Sequence, residues 1–296
     1  MLKKLIIILF TTLTLVGCRP KSVSEDETLE FSIASYYKIP SLSLISLIKD
    51  NENIDILSDI DSLNSSFDSN EKDIIIAPLN TGVNKCLSND NYKLLSIITY
   101  STYLVYSTDE TFNKGDVGVY EKGVIETVLD KLSGDLSSYN FVYYDSYDDL
   151  KDDLINGNIE AVLVNKLDYA DINNSVSLTA IEDINETYQK EYSYSEFPTY
   201  GIFVSNDVSK NRQTDLAAFS RLLRNSISQY KSDTTTLENA LKDVDVIAFG
   251  YSDKDLIISN YNDCGIEFAY AVDAYDEITT LLGLFDIDIS ESIIVQ

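Results

Sequence analysis

Short apolar runs of strand length alternate along this chain with apolar stripes at helical spacing, and that alternation is what most limits its possible folds. Asp73-Ile-Ile-Ile-Ala77 is an unbroken apolar run closed by Pro78, as expected of a strand covered on both faces. Residues 159–164 read the same way. Shorter strands are expected over 31–34, 94–98, 103–106, 118–120, 140–144 and 203–205, with a loop over 35–40. Between them, Leu42, Ile45, Leu47 and Ile48 recur at helical spacing up to Lys49, and 124–132 reads as a further helix. Leu150, Leu154 and Ile155 mark another, starting at Asp148 and Asp149 and closed by Gly157. In two successive rounds a short acidic helix leads through a polar turn into a buried strand. That pattern predicts an α/β fold with two similar lobes. Helices fill the last third. Leu216, Phe219, Leu222, Leu223 and Ile227 form a helical stripe, Thr235 with Glu238 fits a capping box, and Asp273 is placed to cap a helix carrying Ile278, Leu281, Leu282 and Phe285.

Composition removes several function classes. The 296 residues include 22 basic and 49 acidic side chains, a net charge of −27 with no basic block, which argues against nucleic acid and against anionic headgroups. There is no histidine, so Ser-His-Asp and Cys-His hydrolases, histidine zinc sites and histidine general bases are excluded. Asp59-Ile-Asp61, the cluster over 145–153 and Asp286-Ile-Asp288 lack the glycine and terminal glutamate of a calcium loop and read as solvated faces. Neither a Walker loop nor a dinucleotide fingerprint is present, so neither cofactor nor metal is expected. With 44% hydrophobic residues the chain can bury one large core or two smaller ones.

Lys3 and Lys4 precede a 12-residue apolar run ending in Leu15-Val16-Gly17-Cys18. The run is shorter than the roughly 20 residues that span a bilayer, and it has the layout of a secretory signal. Its last four residues resemble a bacterial lipobox, which implies cleavage before Cys18 and lipidation of that cysteine. Residues 1–17 are therefore expected as signal peptide and 18–28 as lipidated N-terminus and tether. The protein would then be anchored at the extracytoplasmic face of the cell membrane. Cys86 and Cys264 are expected as free buried thiols, with a disulfide as the alternative that such an address permits.

Two stretches carry a family resemblance. Asp73-Ile-Ile-Ile-Ala-Pro-Leu-Asn-Thr-Gly82 is followed by Tyr92-Lys-Leu-Leu-Ser-Ile-Ile-Thr-Tyr-Ser-Thr-Tyr-Leu-Val105. Together with residues 150–164 and Phe197-Pro-Thr-Tyr-Gly-Ile-Phe-Val204, they resemble the solute-binding lipoproteins of ABC importers. The branch is the one that serves nitrate, taurine and other sulfonates, and thiamine precursors. Two places depart from it: Tyr120-Glu-Lys-Gly-Val124 stands where a glycine-rich loop is usual, and Val164-Asn-Lys-Leu167 where a Pro-Glu-Pro is. The resemblance implies a periplasmic-binding-protein type II fold. Lobe 1 would comprise 29–108 plus about 206–296, lobe 2 would comprise 109–205, and a ligand cleft would lie between them. It implies capture of a small nutrient for an ABC permease, not catalysis. Related fungal pyrimidine synthases use an active-site histidine that this chain lacks. The alternative is a surface lipoprotein of the same fold that binds a protein partner.

In such a fold the ligand meets loops at the carboxyl ends of strands and the N-termini of helices. The loop over 35–41 then offers Tyr36 or Tyr37 for stacking and Ser41 as a donor. Asn80 and Thr81 follow the proline-ended strand as ligand contacts or as helix caps. Tyr120 and Glu121 open the second lobe, and Tyr100, Ser101 and Thr199 fall near the crossovers. Lys38, Lys122 and Lys166 are candidates to pair with an anion, solvent exposure being the usual state of a lysine. The tyrosines favour a planar organic ligand such as a pyrimidine, with a small sulfonate or carboxylate as the alternative.

Overall fold

The computed structural model describes residues 30–49, 51–120 and 123–295. The expected leader, Cys18 and its tether, and Glu121 and Lys122 lie outside the described residues. In chain order the strands are β1 (Ile33–Tyr36), β2 (Ile54–Leu57), β3 (Ile74–Pro78), β4 (Tyr92–Tyr100), β5 (Tyr103–Ser107), β6 (Gly115–Val119), β7 (Tyr139–Tyr143), β8 (Ala161–Asn165), β9 (Thr179–Asp183), β10 (Pro198–Ser205) and β11 (Ile266–Tyr270). They form two sheets, ordered β11-β4-β10-β3-β1-β2 and β7-β6-β8-β5-β9.

The two sheets share one plan. In the first, β1 runs parallel to β2 and β3, and β10 lies antiparallel between β3 and β4. In the second, β6 runs parallel to β7 and β8, and β5 lies antiparallel between β8 and β9. This is the doubling that the two sequence rounds predict. The chain changes sheet between Tyr100 and Tyr103 and again between Asp183 and Pro198. The sequence places those borders near 108 and 205, because nothing local in 103–107 or 198–205 says which sheet will accept the strand.

Burial explains the apolar runs. Ile74 and Ile76 point into one core layer while Ile75 and Ala77 point into another, so a central strand needs apolar residues at every position. Val162 and Val164 against Ala161 and Leu163 repeat the arrangement in the second sheet. At the edge, β7 alternates between half-buried and exposed residues. On the far side of the first sheet, helix Gln213–Ser232 buries Leu216, Phe219, Leu223 and Ile227, as its stripe requires.

Several local expectations change. The helix read from Leu42 onward is two short helical turns, Ile39–Leu42 and Ile45–Ile48. Helix Thr234–Leu241 is capped by Asp233, whose carboxylate accepts from the Thr235 N–H at 3.0 Å, rather than by Thr235. Helix Tyr275–Gly283 starts from Ala274 with no side-chain cap, so Asp273 does not serve as one. The strand β11, added antiparallel to the edge of β4, sits in a region that reads as helical return. Gly157 does follow the helix Tyr147–Ile155 at φ 71°. Cys86 and Cys264 are free and buried, and burial pushes both thiols up to about 12.

Candidate functional site

A cavity of about 330 Å³ lies between the two sheets. It is built at the carboxyl ends of the parallel strands: Tyr36 follows from β1, Asp59 from β2, Thr81 from β3, Tyr120 from β6, Asp145 from β7 and Asn165 from β8. Side chains there project from loops whose backbone is held by two different sheets, the usual place for a ligand in α/β folds. Thr99, Tyr100 and Thr199 close the third side, where the chain crosses, and the Thr99 and Thr199 hydroxyls hydrogen-bond each other at 2.7 Å.

Six tyrosines face this space. The rings of Tyr36 and Tyr200 stack with centroids 5.9 Å apart, and Tyr37 packs its edge on Tyr36 at 5.1 Å. Tyr37 has room because of a residue far along the chain. Gly250, at φ 81°, ends the 3-10 helix Val246–Phe249, and a Cβ on it would stand 2.8 Å from the Tyr37 ring. The C-terminal segment also holds the next residue, since the Lys38 N–H donates to the Phe249 carbonyl at 2.9 Å.

Lys38 is the centre of the site's electrostatics. Its backbone lies at φ 67°, ψ −143°, a conformation that side chains rarely adopt and that costs on the order of 1–3 kcal/mol. The Ser41 hydroxyl closes this turn by donating to the Lys38 carbonyl at 2.7 Å. The Lys38 side chain is buried rather than solvated. Its ammonium donates to Asp168 Oδ1 at 3.0 Å and lies 3.8 Å from the ring centre of Tyr147 and 4.8 Å from that of Tyr251. Asp168 is wholly buried on helix Lys166–Asn173, in the second lobe, so the pair joins the two sides of the cleft. Its other oxygen accepts from the Tyr120 hydroxyl and, at 2.6 Å, from the Asn165 amide. The Asn165 side-chain oxygen in turn caps the same helix. Burial, and then the Asp168 charge, push the Tyr147 hydroxyl far above the ordinary phenol range, so this ring stays neutral beside the ammonium.

Two helices point bare N-termini toward the cavity. Helix Leu79–Asn89 starts from Pro78 and helix Val124–Lys131 from Gly123, and among the described residues neither has a side-chain cap. Helix Ile60–Ser69, also beside the cavity, is capped by Asp59. The uncapped first turns leave N–H groups for a ligand's acceptor atoms.

The structure places the sequence candidates as follows. Tyr36, Tyr37, Thr81, Tyr100, Tyr120 and Thr199 line the cavity together. Ser41 is buried behind it, supporting the Lys38 turn. Asn80 is inside the first turn of its helix, not at the cap, and among the described residues its buried Oδ1 has no hydrogen-bond partner. Ser101 belongs to the crossing: it accepts from the Phe197 N–H at 3.1 Å and bonds the Asn185 side chain. Lys166 is exposed and Lys38 is not, which reverses the expectation for the latter. Glu121 and Lys122 lie outside the described residues.

Sequence reasoning passes over Asp168, Asn165, Tyr147 and Tyr251. One signal was available: Asn165 with Asp168 three residues on has the spacing of a helix start. Among the described residues no group of three cysteine or carboxylate side chains is placed to hold a metal, and no helix is long and apolar enough to cross a membrane.

No family model matches the chain. No curated protein matches it by sequence. Solved structures do match by shape. An ABC transporter protein from Parabacteroides distasonis is similar with a TM-score of 0.72 at 14% identity, over 87% of this chain and 92% of that one. The zinc-bound ligand binding component of an ABC-type import system from Staphylococcus aureus has a TM-score of 0.66 at 10% identity, over 89% and 95%. The periplasmic aliphatic sulphonate binding protein SsuA from Escherichia coli has a TM-score of 0.60 at 10% identity, over 86% of each chain. At such identities the likeness is one of fold. With its paired sheets and the cavity between them, the chain has the two-lobed α/β fold of periplasmic binding proteins.

Proposed function

We propose that this protein is a solute-binding component of an ABC importer, capturing a small organic nutrient between its two lobes and delivering it to a permease. The observation that carries this reading is the cavity of about 330 Å³ into which both sheets send the carboxyl-end loops of their parallel strands. A space of that size fits a ligand of one or two rings. Similarity of shape to importer components, over most of both chains, supports the same reading. The tyrosine faces and the bare helix N-termini suit a planar molecule with acceptor atoms.

In this reading Tyr36, Tyr37, Thr81, Tyr100, Tyr120 and Thr199 contact the solute. Ser101, Asn185 and Phe197 form the crossing about which the lobes close. Signal cleavage before Cys18 and lipidation of that cysteine place the protein on the extracytoplasmic membrane face. The activity is binding, in keeping with a chain that has no histidine for general acid–base chemistry.

Native mass spectrometry of the soluble part, residues 27–296, purified gently and then denatured, tests the proposal. A stoichiometric adduct of small mass is expected, and releasing it identifies the solute. If there is no adduct, and no nutrient in a broad panel raises the melting temperature even far above plausible dissociation constants, solute capture is refuted.

A further inference from the structure

The charged groups around the cavity are unevenly disposed. Among the described lining residues Lys38 is the single cation, and Asp59 and Asp145 are carboxylates of the same lining. A lysine in that position would be the natural partner of an anionic ligand. Here its ammonium is already matched, 3.0 Å from a wholly buried Asp168 and held against the faces of Tyr147 and Tyr251. The Tyr120 hydroxyl and the Asn165 amide fix Asp168 in place. An anion that drew Lys38 away would leave a buried carboxylate without its counter-ion, an arrangement that is strongly unfavourable. The recognition capacity that remains is of another kind. Tyrosine faces bind flat rings, and the uncapped N-termini of helices Leu79–Asn89 and Val124–Lys131 donate to acceptor atoms that carry no formal charge.

We infer that Asp168 is a specificity-determining residue: by neutralising Lys38 from within, it makes the cleft select an uncharged, flat, acceptor-bearing solute over sulfonates and carboxylates. The inference rests on the solute-capture reading and sets this cleft apart from a sulfonate-binding one.

Isothermal titration with ethanesulfonate, a fixed anionic probe, decides the matter on its own, whether or not a natural solute has been found. Wild-type protein shows no saturable heat up to about 10 mM probe. Asp168→Asn, which frees the Lys38 charge, gains saturable binding at least roughly tenfold tighter than that limit. The double variant Lys38→Met/Asp168→Asn loses it again. Circular dichroism confirms that each variant is folded, and Asp168→Ser replaces Asp168→Asn if the latter does not fold. Sub-millimolar binding by wild type overturns the inference. So does a folded Asp168 variant that gains no affinity for the probe.

Discussion

Lys38→Met keeps an unbranched apolar stem of four heavy atoms in place of the lysine stem and removes the ammonium, so what it chiefly tests is the charge. In the native protein that ammonium is the counter-ion of Asp168, with side-chain exposures of 9% and 0% for the two partners. Breaking a buried pair by removing one member costs about 3–5 kcal/mol, because the remaining charge has left water without compensation. The Tyr120 and Asn165 donors remain on the other carboxylate oxygen and soften the loss. The contact at 3.8 Å with the Tyr147 ring is lost as well, about 1–2 kcal/mol for a desolvated cation. A net cost of about 4 kcal/mol follows, or roughly 10 °C in melting temperature for a chain of this size. The double variant Lys38→Met/Asp168→Asn removes both charges and should recover most of that loss, since apolar or neutral replacement of a buried pair is often close to neutral. Urea denaturation of the wild type, both single variants and the double variant measures the coupling. A single-variant cost below about 1 kcal/mol, or strictly additive effects, would show that the two groups are not a buried pair across the cleft.

Gly250→Ala places a methyl 2.8 Å from the Tyr37 ring at a backbone φ of 81°. It should cost about 1–2 kcal/mol and weaken solute binding by moving Tyr37, which paired denaturation and binding titrations read out. Cys86 and Cys264 should resist a thiol reagent at pH 8 and react only in denaturant, because burial pushes both thiols up to about 12 and little thiolate forms; rapid native labelling of either refutes this. Burial also pushes the hydroxyl pKa of Tyr92, Tyr106 and Tyr188 above the ordinary phenol value of 10, making each a weaker acid in the folded state. Above pH 10 the unfolded state therefore loses protons that the folded state keeps, so stability falls as pH rises. Phenolate absorbance at 295 nm should then rise together with unfolding for these groups; early ionisation without unfolding contradicts it.

Those parts of the fold that depend on local physics were legible in the sequence. The isoleucine run at 74–76 announces a strand covered on both faces, and the stripe from Leu216 to Ile227 announces a helix with one buried side. Carboxyl-end loops then follow from the order of elements, which is why Tyr36, Thr81 and Tyr120 were within reach. The cross-cleft pair was not legible, because Lys38 and Asp168 are 130 positions apart, and the helix-start spacing of Asn165 and Asp168 says nothing of a distant lysine. Gly250 was hidden for the same reason, since its role is defined by a ring more than 200 positions earlier. Strand β11 escaped because Ile266-Glu-Phe-Ala-Tyr270 is a mixed edge sequence set among helices. At Asp233 two acceptors lie within three residues, and Asp233, the one residue between helix Gln213–Ser232 and helix Thr234–Leu241, is the one that caps.

The exchanged strands also bear on the order in which the molecule is made. Every strand of the second sheet lies within residues 103–183, one uninterrupted stretch, whereas the first sheet waits for β10 to fill the gap between β3 and β4. As the chain emerges from the ribosome, the second lobe can complete its pairing while the first still has open inner edges at Ile74–Pro78 and Tyr92–Tyr100. Amides of β6 and β8 are accordingly expected to gain protection before those of β3 and β4 in pulse-labelled refolding, and simultaneous protection would rule the order out. The late strand that fills this gap is the same one that carries Thr199 and Tyr200 to the cavity, so the binding surface is assembled only after that strand has paired.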